Sequence, residues 1–247
     1  NTVNGSYVAR IYDPETVQLN DDKTEVEDAD KLHKYDAAFY SKRTMNVSGG
    51  EKGDGILNIN AENEGLDSEL HLTINGGVIN ITSGNDGINT NEDNVSVTTV
   101  NGGTLNILCD GKTGEGDGID SNSRTSYQGI VFSGGNTVVI SNSNGNSAID
   151  TEQGYAYEGG AVIAIMPRGG MSSEATHCQS FSSVGKSTQM SLSKDSYLVA
   201  EIGGGTATVK MPVSINALVI TLGDSSPSIT TESSVSVELD GNGVAWN

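Results

Sequence analysis

The chain is short of the residues most small folds lean on. Its 247 residues include two cysteines, four prolines, one tryptophan and three phenylalanines. Cys109 and Cys178 are too few for a disulfide framework, and the burial habits of cysteine favour two free thiols, with Cys109 in the core. Thirteen lysines and arginines stand against 32 acids, for a formal net charge of −19. Nucleic-acid binding works by neutralising phosphates with Lys and Arg, so that class is excluded. No apolar run is long enough to span a membrane as a helix. No stretch holds apolar residues at i, i+3, i+4 and i+7 for more than a turn, so helices are expected to be scarce.

Glycine is plentiful, at 32 residues, and it is periodic. Gly-Gly pairs begin at 49, 76, 102, 134 and 159, spaced by 27, 26, 32 and 25 residues. Two before each pair stands an apolar or aromatic residue: Val47, Ile74, Val100, Phe132, Tyr157. A second pattern keeps step: Glu64-Gly65-Leu66-Asp67, Asp86-Gly87-Ile88-Asn89, Asp117-Gly118-Ile119-Asp120 and Ser147-Ala148-Ile149-Asp150. Between the two patterns run alternating arms, Leu57/Ile59, Ile79/Ile81, Leu105/Ile107 and Val138/Ile140, each expected to point these residues inward. Extra residues at Asn136 and Ala161 predict bulges in the last two arms.

Self-similarity at this period marks a solenoid. Strand, Gly-Gly turn, strand, turn and Asp-Gly-Ile strand make one rung of a right-handed parallel β-helix with three strands per rung. Such a fold lets a polar chain bury a narrow Ile/Val core while rung-to-rung bonds satisfy the backbone. The organisation read from the pattern is a partial first coil and acidic loop over 1–36, the β-helix over 37–167, and a β-rich segment over 168–247. The acidic run 13–36 reads as a solvated loop. The runs SYLVAEI, TATVKM, NALVITL and SVSVELD predict an antiparallel segment covering one open end, where strand edges would otherwise be exposed. Asn1 begins inside what reads as a coil, so a leader is expected to have been removed.

If Leu66, Ile88, Ile119 and Ile149 point inward, the next residue of each rung points out. That outer column is Asp67, Asn89, Asp120, Asp150. Beside it runs Glu69, Asn91, Asn122, Glu152, with Asp86 and Asp117 just before the glycines. Two carboxylates one rung apart repel by about 3 kcal/mol at an effective dielectric of 20. A divalent ion relieves this, and calcium–oxygen distances of about 2.3–2.6 Å let one ion bridge two rungs. An all-oxygen set favours calcium over zinc, with Asp86, Asn89, Asp117 and Asp120 as its ligands. The alternative is a polar face without metal.

Nucleophilic triads are not supported, since His33, His71 and His177 have no Gly-x-Ser-x-Gly partner. His71, between Leu70 and Leu72, is expected to face outward. Paired carboxylates abound, but nothing in the sequence raises one above its neighbour for glycoside hydrolysis.

The segments DAAFYSKRTMNVSGG, LHLTINGGVINITSGNDGINTNED and GGTLNIL…GDGIDSN closely resemble the extracellular carbohydrate-binding β-helix proteins of clostridia and relatives. The likeness covers about 30–166 and continues more loosely to the C-terminal strands. It implies a fold similar to calcium-dependent pectate lyases, binding of cellulose or acidic glycans, and calcium near Asp86, Asn89, Asp117 and Asp120. The first rung departs from it, with Ala37-Ala38-Phe39-Tyr40 in place of the acid-Gly-Ile-acid pattern.

The expected function is a non-catalytic protein, extracellular or on the cell surface, that binds plant cell-wall polysaccharide. A chain of charge −19 repels a polyanion, so pectin-type ligands need calcium as a bridge; the glycan-binding column is Asp67, Glu69, Asn91, Asn122, Asp150 and Glu152. Cellulose needs exposed aromatics, for which Tyr40 and Tyr127 are candidates; Tyr155 is open to either that role or the core. The rival is a pectate-lyase-like enzyme, whose cationic base would have to be Lys112 or Arg124. A purely structural surface or adhesin stalk is the third reading.

Overall fold

In a computed structural model, the described residues are 2–4, 9–11, 33–35, 37–223 and 226–247. They form a β-solenoid of about five turns. Three faces wrap its core. The first carries Thr44–Val47, His71–Ile74, Val97–Val100 and the start of the long strand Ile130–Ser141. The second carries Thr2–Asn4, Ile56–Ala61, Val78–Ser83, Thr104–Cys109 and the rest of that long strand. The third carries Ala37–Ser41, Glu64–Ser68, Ile88–Thr90, Ile119–Ser121 and Ile149–Thr151. A second long strand, Ala156–Pro167, closes the first two faces. The rung-to-rung pairings are parallel, and along the inner columns most of them place like residues side by side.

The registers follow the sequence repeat. Val47, Ile74, Val100, Phe132 and Tyr157 stack in one column, as do Leu66, Ile88, Ile119 and Ile149. The glycines make this stacking possible at two places. Gly77, Gly103 and Gly135 have φ of 91°, 83° and 77°, and a Cβ on Gly103 would meet the Gly77 carbonyl oxygen at 2.5 Å. On the third face, a Cβ on Gly87 would lie 2.3 Å from Ile107 and one on Gly118 2.0 Å from Val139. Glycine there lets the third face close against the second, which keeps the core narrow and dry.

The second face changes character along its length. Leu57/Ile59, Ile79/Ile81 and Leu105/Ile107 point inward as expected, but Val138 and Ile140 do not. Asn136 pairs directly with Thr104, so it is not an extra residue, and Thr137, Val139 and Ser141 hold the inward positions. Register shifts do occur in the last pair of strands, between Phe132 and Asn136 against Tyr157 and Ala161. Ala161 itself pairs in register with Asn136. Val138, Ile140, Ile163 and Ile165 face outward into a second apolar core built with Leu198, Ala200, Val209 and Val219. A strand apolar on both faces is a strand buried on both faces.

The C-terminal part closes the solenoid in two ways. Ile215–Leu222 adds antiparallel to Ala156–Pro167, and Gly185–Leu192 adds to it in turn. The short helical segments Gly170–Thr176 and Phe181–Val184 bring Ala175 and Cys178 under the last rung. The hairpin Tyr197–Ile202 and Gly205–Lys210, flanked by Ser228–Glu232 and Val244–Trp246, packs as a separate sheet over the outer second face. SVSVELD forms no strand: Val235, Val237 and Leu239 alternate in burial but pair with nothing as a ladder. Near the N-terminus, Thr2–Asn4 joins the second face, whereas Ala9–Ile11 and His33–Tyr35 form an antiparallel pair of their own. The rest of the acidic run lies outside the described residues.

Candidate functional site

The third face presents the expected outer column. Tyr40, Asp67, Asn89, Asp120 and Asp150 stand opposite one another on successive rungs, and their neighbours Leu66, Ile88, Ile119 and Ile149 are fully buried. Just ahead of the glycines, Asp86 and Asp117 lie between rungs rather than on the open surface. Asp86 Oδ1 accepts the Asp117 N–H at 2.8 Å, and Asp117 Oδ1 accepts the Ser147 N–H at 2.6 Å. Each carboxylate therefore caps the start of the next rung's strand and keeps one oxygen uncommitted by these bonds. The column is partly knitted by amides: Asn91 Nδ2 donates to Asp67 Oδ1 at 2.7 Å, and Asn89 Nδ2 to Glu64 Oε1 at 3.4 Å. Asn89 Oδ1 is buried and has no hydrogen-bond partner.

Burial governs the charges here. Asp86 is pushed up to about 8, first by desolvation and then by the charges of Asp117 and Glu64. Desolvation likewise raises Asp117 to about 7, although the Ser147 N–H bond opposes it. Asp120 is raised well above the ordinary carboxylate range by burial and by Asp86 and Asp150. Asp150 reaches about 8 through burial, a hydrogen bond with Glu174 and that residue's charge. The neighbouring charges acting on these four groups are carboxylates, each adding to the cost of ionisation.

Asp120, Asn122, Asp150 and Glu152 line a cavity of about 280 Å³ together with Glu115 and Glu174. Glu115 and Glu174 escaped the sequence reading. Glu115 sits two before Asp117 in a turn, where the repeat predicts nothing. Glu174 arrives from the helical segment beyond the last rung, and no spacing announces it. Among the described residues, no three His, Cys, Asp or Glu side chains converge as a ready ion site. Asp86 and Asp117 each spend an oxygen on the backbone, and Asn89, the amide in the cluster, is not an acid. Calcium accepts amide, backbone and water oxygens beside carboxylates, so the donor types present fit it even though the acids alone do not enclose it.

A family model of carbohydrate-binding domain-containing proteins matches residues 7–232. The chain belongs to that family. Neither a curated protein nor a solved structure matches it. For a carbohydrate-binding domain, the aromatic candidates divide sharply. Tyr155 is fully buried, packed edge-to-face on Phe132 with ring centres 5.9 Å apart, and donates to the Ala175 carbonyl at 2.6 Å. It is a core residue. Tyr40 is half-buried and donates to Glu69 Oε1 at 2.7 Å. Tyr127 is exposed, at φ 54°, and its N–H bonds to Gln153 beside the last rung of the third face. Tyr40 and Tyr127 belong to opposite ends of the column and form no continuous platform.

The two cations that a lyase would need are both paired with acids in turns. Lys112 Nζ bonds Asp110 Oδ2, and Arg124 lies 3.3 Å from Asp93 Oδ2. His71 is half-exposed on the first face, beside the buried Leu72. Cys109 and Cys178 are free, and Cys109 donates to the Asp117 carbonyl at 3.2 Å from inside the core.

Proposed function

We propose that the chain is a secreted, non-catalytic polysaccharide-binding protein that holds acidic, pectin-type glycans of plant cell walls through calcium on the third face. The observation that carries this reading is the rung-to-rung succession of the desolvated carboxyls Asp86, Asp117 and Asp120 beside the unpartnered Asn89 Oδ1. Three carboxyls resist ionisation there because burial strips them of water and the charges beside them are other carboxylates. A calcium ion supplies that charge, and its remaining coordination positions accept uronate carboxylates. Asp67, Glu69, Asn91, Asn122, Asp150 and Glu152 continue the strip on either side and offer acceptors and amides to sugar hydroxyls.

Binding without turnover is favoured over lyase chemistry because Lys112 and Arg124 are engaged with Asp110 and Asp93. A lyase base must come within about 2.6–3.2 Å of the proton it removes. A crystalline cellulose surface is disfavoured on this face, since Tyr40 and Tyr127 do not align. A passive stalk would have no use for a desolvated acid cluster that opposes folding.

Affinity electrophoresis on polygalacturonate, with calcium and with chelator, tests the reading. Calcium-dependent retardation that disappears in Asp117→Asn/Asp120→Asn supports it; retardation indifferent to calcium sinks it.

A further inference from the structure

The outer second face offers another surface, remote in chemistry from the acid strip. Over the last rungs this face is apolar and lies under the C-terminal sheet, through Val138, Ile140, Ile163 and Ile165. In the same column, the earlier rungs carry Asn58, Asn80 and Asn106 instead. Asn80 Nδ2 donates to Asn58 Oδ1 at 2.9 Å, and Asn106 Nδ2 to Asn80 Oδ1 at 3.0 Å. The cover stops at the tip 240–242. There Asp240 Oδ2 accepts from Asn106 Nδ2 at 2.5 Å, and Asp240 Oδ1 accepts the Asn242 and Val244 N–H groups at 2.9 Å each. Asn242 Nδ2 donates to the Ile81 and Asn106 carbonyls, which pins the tip to the face.

Between this tip and the first rungs lies an open groove of about 590 Å³. Its floor is Ile56, Asn58 and Asn60 on one rung and Val78, Asn80 and Thr82 on the next. Ile56 is 54% exposed. The lining has one charge, Asp240, and three hydrogen bonds already occupy its carboxylate.

We infer that this groove is a second glycan site, independent of metal, which takes an uncharged polysaccharide chain lying along the solenoid axis. A primary amide has two N–H donors and an oxygen with two lone pairs. The ladder uses one lone pair of the half-buried Asn58, leaving two donors and an acceptor for hydroxyls, which themselves both donate and accept, and the exposed Asn60 adds a second amide beside it. Ile56 and Val78 provide apolar contact for sugar C–H faces alongside. Equivalent positions recur every rung, about 4.8 Å apart, so a polymer meets the same chemistry repeatedly. A polyanion gains nothing here, because the described residues of the groove offer no cation and the chain as a whole carries −19.

The inference rests on membership of a carbohydrate-binding family but not on calcium at the third face, and the two are separable. Titration calorimetry with cellohexaose and mannohexaose, in chelator and at low and high salt, is the test. Binding is expected without calcium and with little salt dependence, since uncharged ligands feel no ionic screening. Asn58→Ala/Asn60→Ala should weaken it about tenfold, the weight of one or two lost amide hydrogen bonds. Ile56→Arg should abolish it by filling the groove. Ile56→Arg should keep the parent melting curve, and Asn58→Ala/Asn60→Ala should melt slightly lower because the buried Asn80 Nδ2 loses its acceptor. Both should keep calcium-dependent retention on polygalacturonate, whereas Asp117→Asn/Asp120→Asn should lose that retention and keep hexasaccharide binding. No binding of either hexasaccharide, binding abolished by chelator, or affinity unchanged in both groove variants would overturn the assignment.

Discussion

The acid cluster makes stability depend on pH in an unusual direction. Asp86 has a carboxyl pKa of about 8 in the fold, against 3.8 as an ordinary side chain. The folded state therefore holds a proton that the unfolded chain has released between these values. Stability falls as pH rises across that window, and the full penalty is present above about 8. At 1.36 kcal/mol per unit, Asp86 alone accounts for about 4 kcal/mol between pH 5 and pH 8. Asp117 shifts in the same sense, but the two repel one another, so their penalties overlap and are not summed. For a chain of this length about 4 kcal/mol corresponds to roughly 8–16 °C in melting temperature. In chelator, melting temperature should drop by that order between pH 5 and pH 8. Calcium at a hundredfold excess over its Kd should restore about 2.7 kcal/mol per site at pH 8. Asp86→Asn keeps the acceptor for the Asp117 N–H but removes the charge. It should flatten the chelator profile and, at pH 8 without calcium, melt above the parent. Differential scanning calorimetry reads all four conditions. A parent profile that is level or rising from pH 5 to pH 8 in chelator would refute the reasoning.

Other perturbations probe the frame. Ile119→Ala removes a fully buried side chain between Ile88 and Ile149 and should cost about 2–5 kcal/mol by urea denaturation. Gly103→Ala combines φ of 83° with a 2.5 Å clash on the preceding rung, so it should cost more than about 1 kcal/mol and lower the yield of folded protein. Ile163→Asn places an amide under the C-terminal sheet with Val138 between it and Asn106, so nothing satisfies it; a loss of about 2–5 kcal/mol is expected, against near neutrality for Asn60→Ala on the open part of the face.

Much of the solenoid was legible because its signals repeat. One glycine pair or one Asp-Gly-Ile says little, but several in step determine the stacking of Val47 through Tyr157 and of Leu66 through Ile149. What escaped lay where repetition ends. Val138 and Ile140 read as inward because they are apolar, whereas the direct pairing of Thr104 with Asn136 turns them outward. Periodicity gives a strand's phase only while one face is wet, and the C-terminal sheet makes both faces dry. SVSVELD shows the converse: alternation without a pairing partner leaves an extended segment, not a strand. In the site, the column from Asp67 to Asp150 could be read from strand geometry. That Asp86 and Asp117 cap the following rungs could not, because a hydrogen bond between residues 30 or 31 apart leaves no trace in local sequence. Glu174 reaches Asp150 from a segment with no repeat at all.

The central claim is that this surface binds acidic glycan through calcium and leaves it intact. The most direct test mixes the protein with polygalacturonate and calcium, follows unsaturated product by ultraviolet absorbance, and recovers the polymer-bound fraction from the same reaction. The account predicts calcium-dependent retention with no growth in absorbance, and loss of retention in Asp117→Asn/Asp120→Asn. Steady product formation that stops in Lys112→Ala or Arg124→Ala would contradict it and make the chain a lyase.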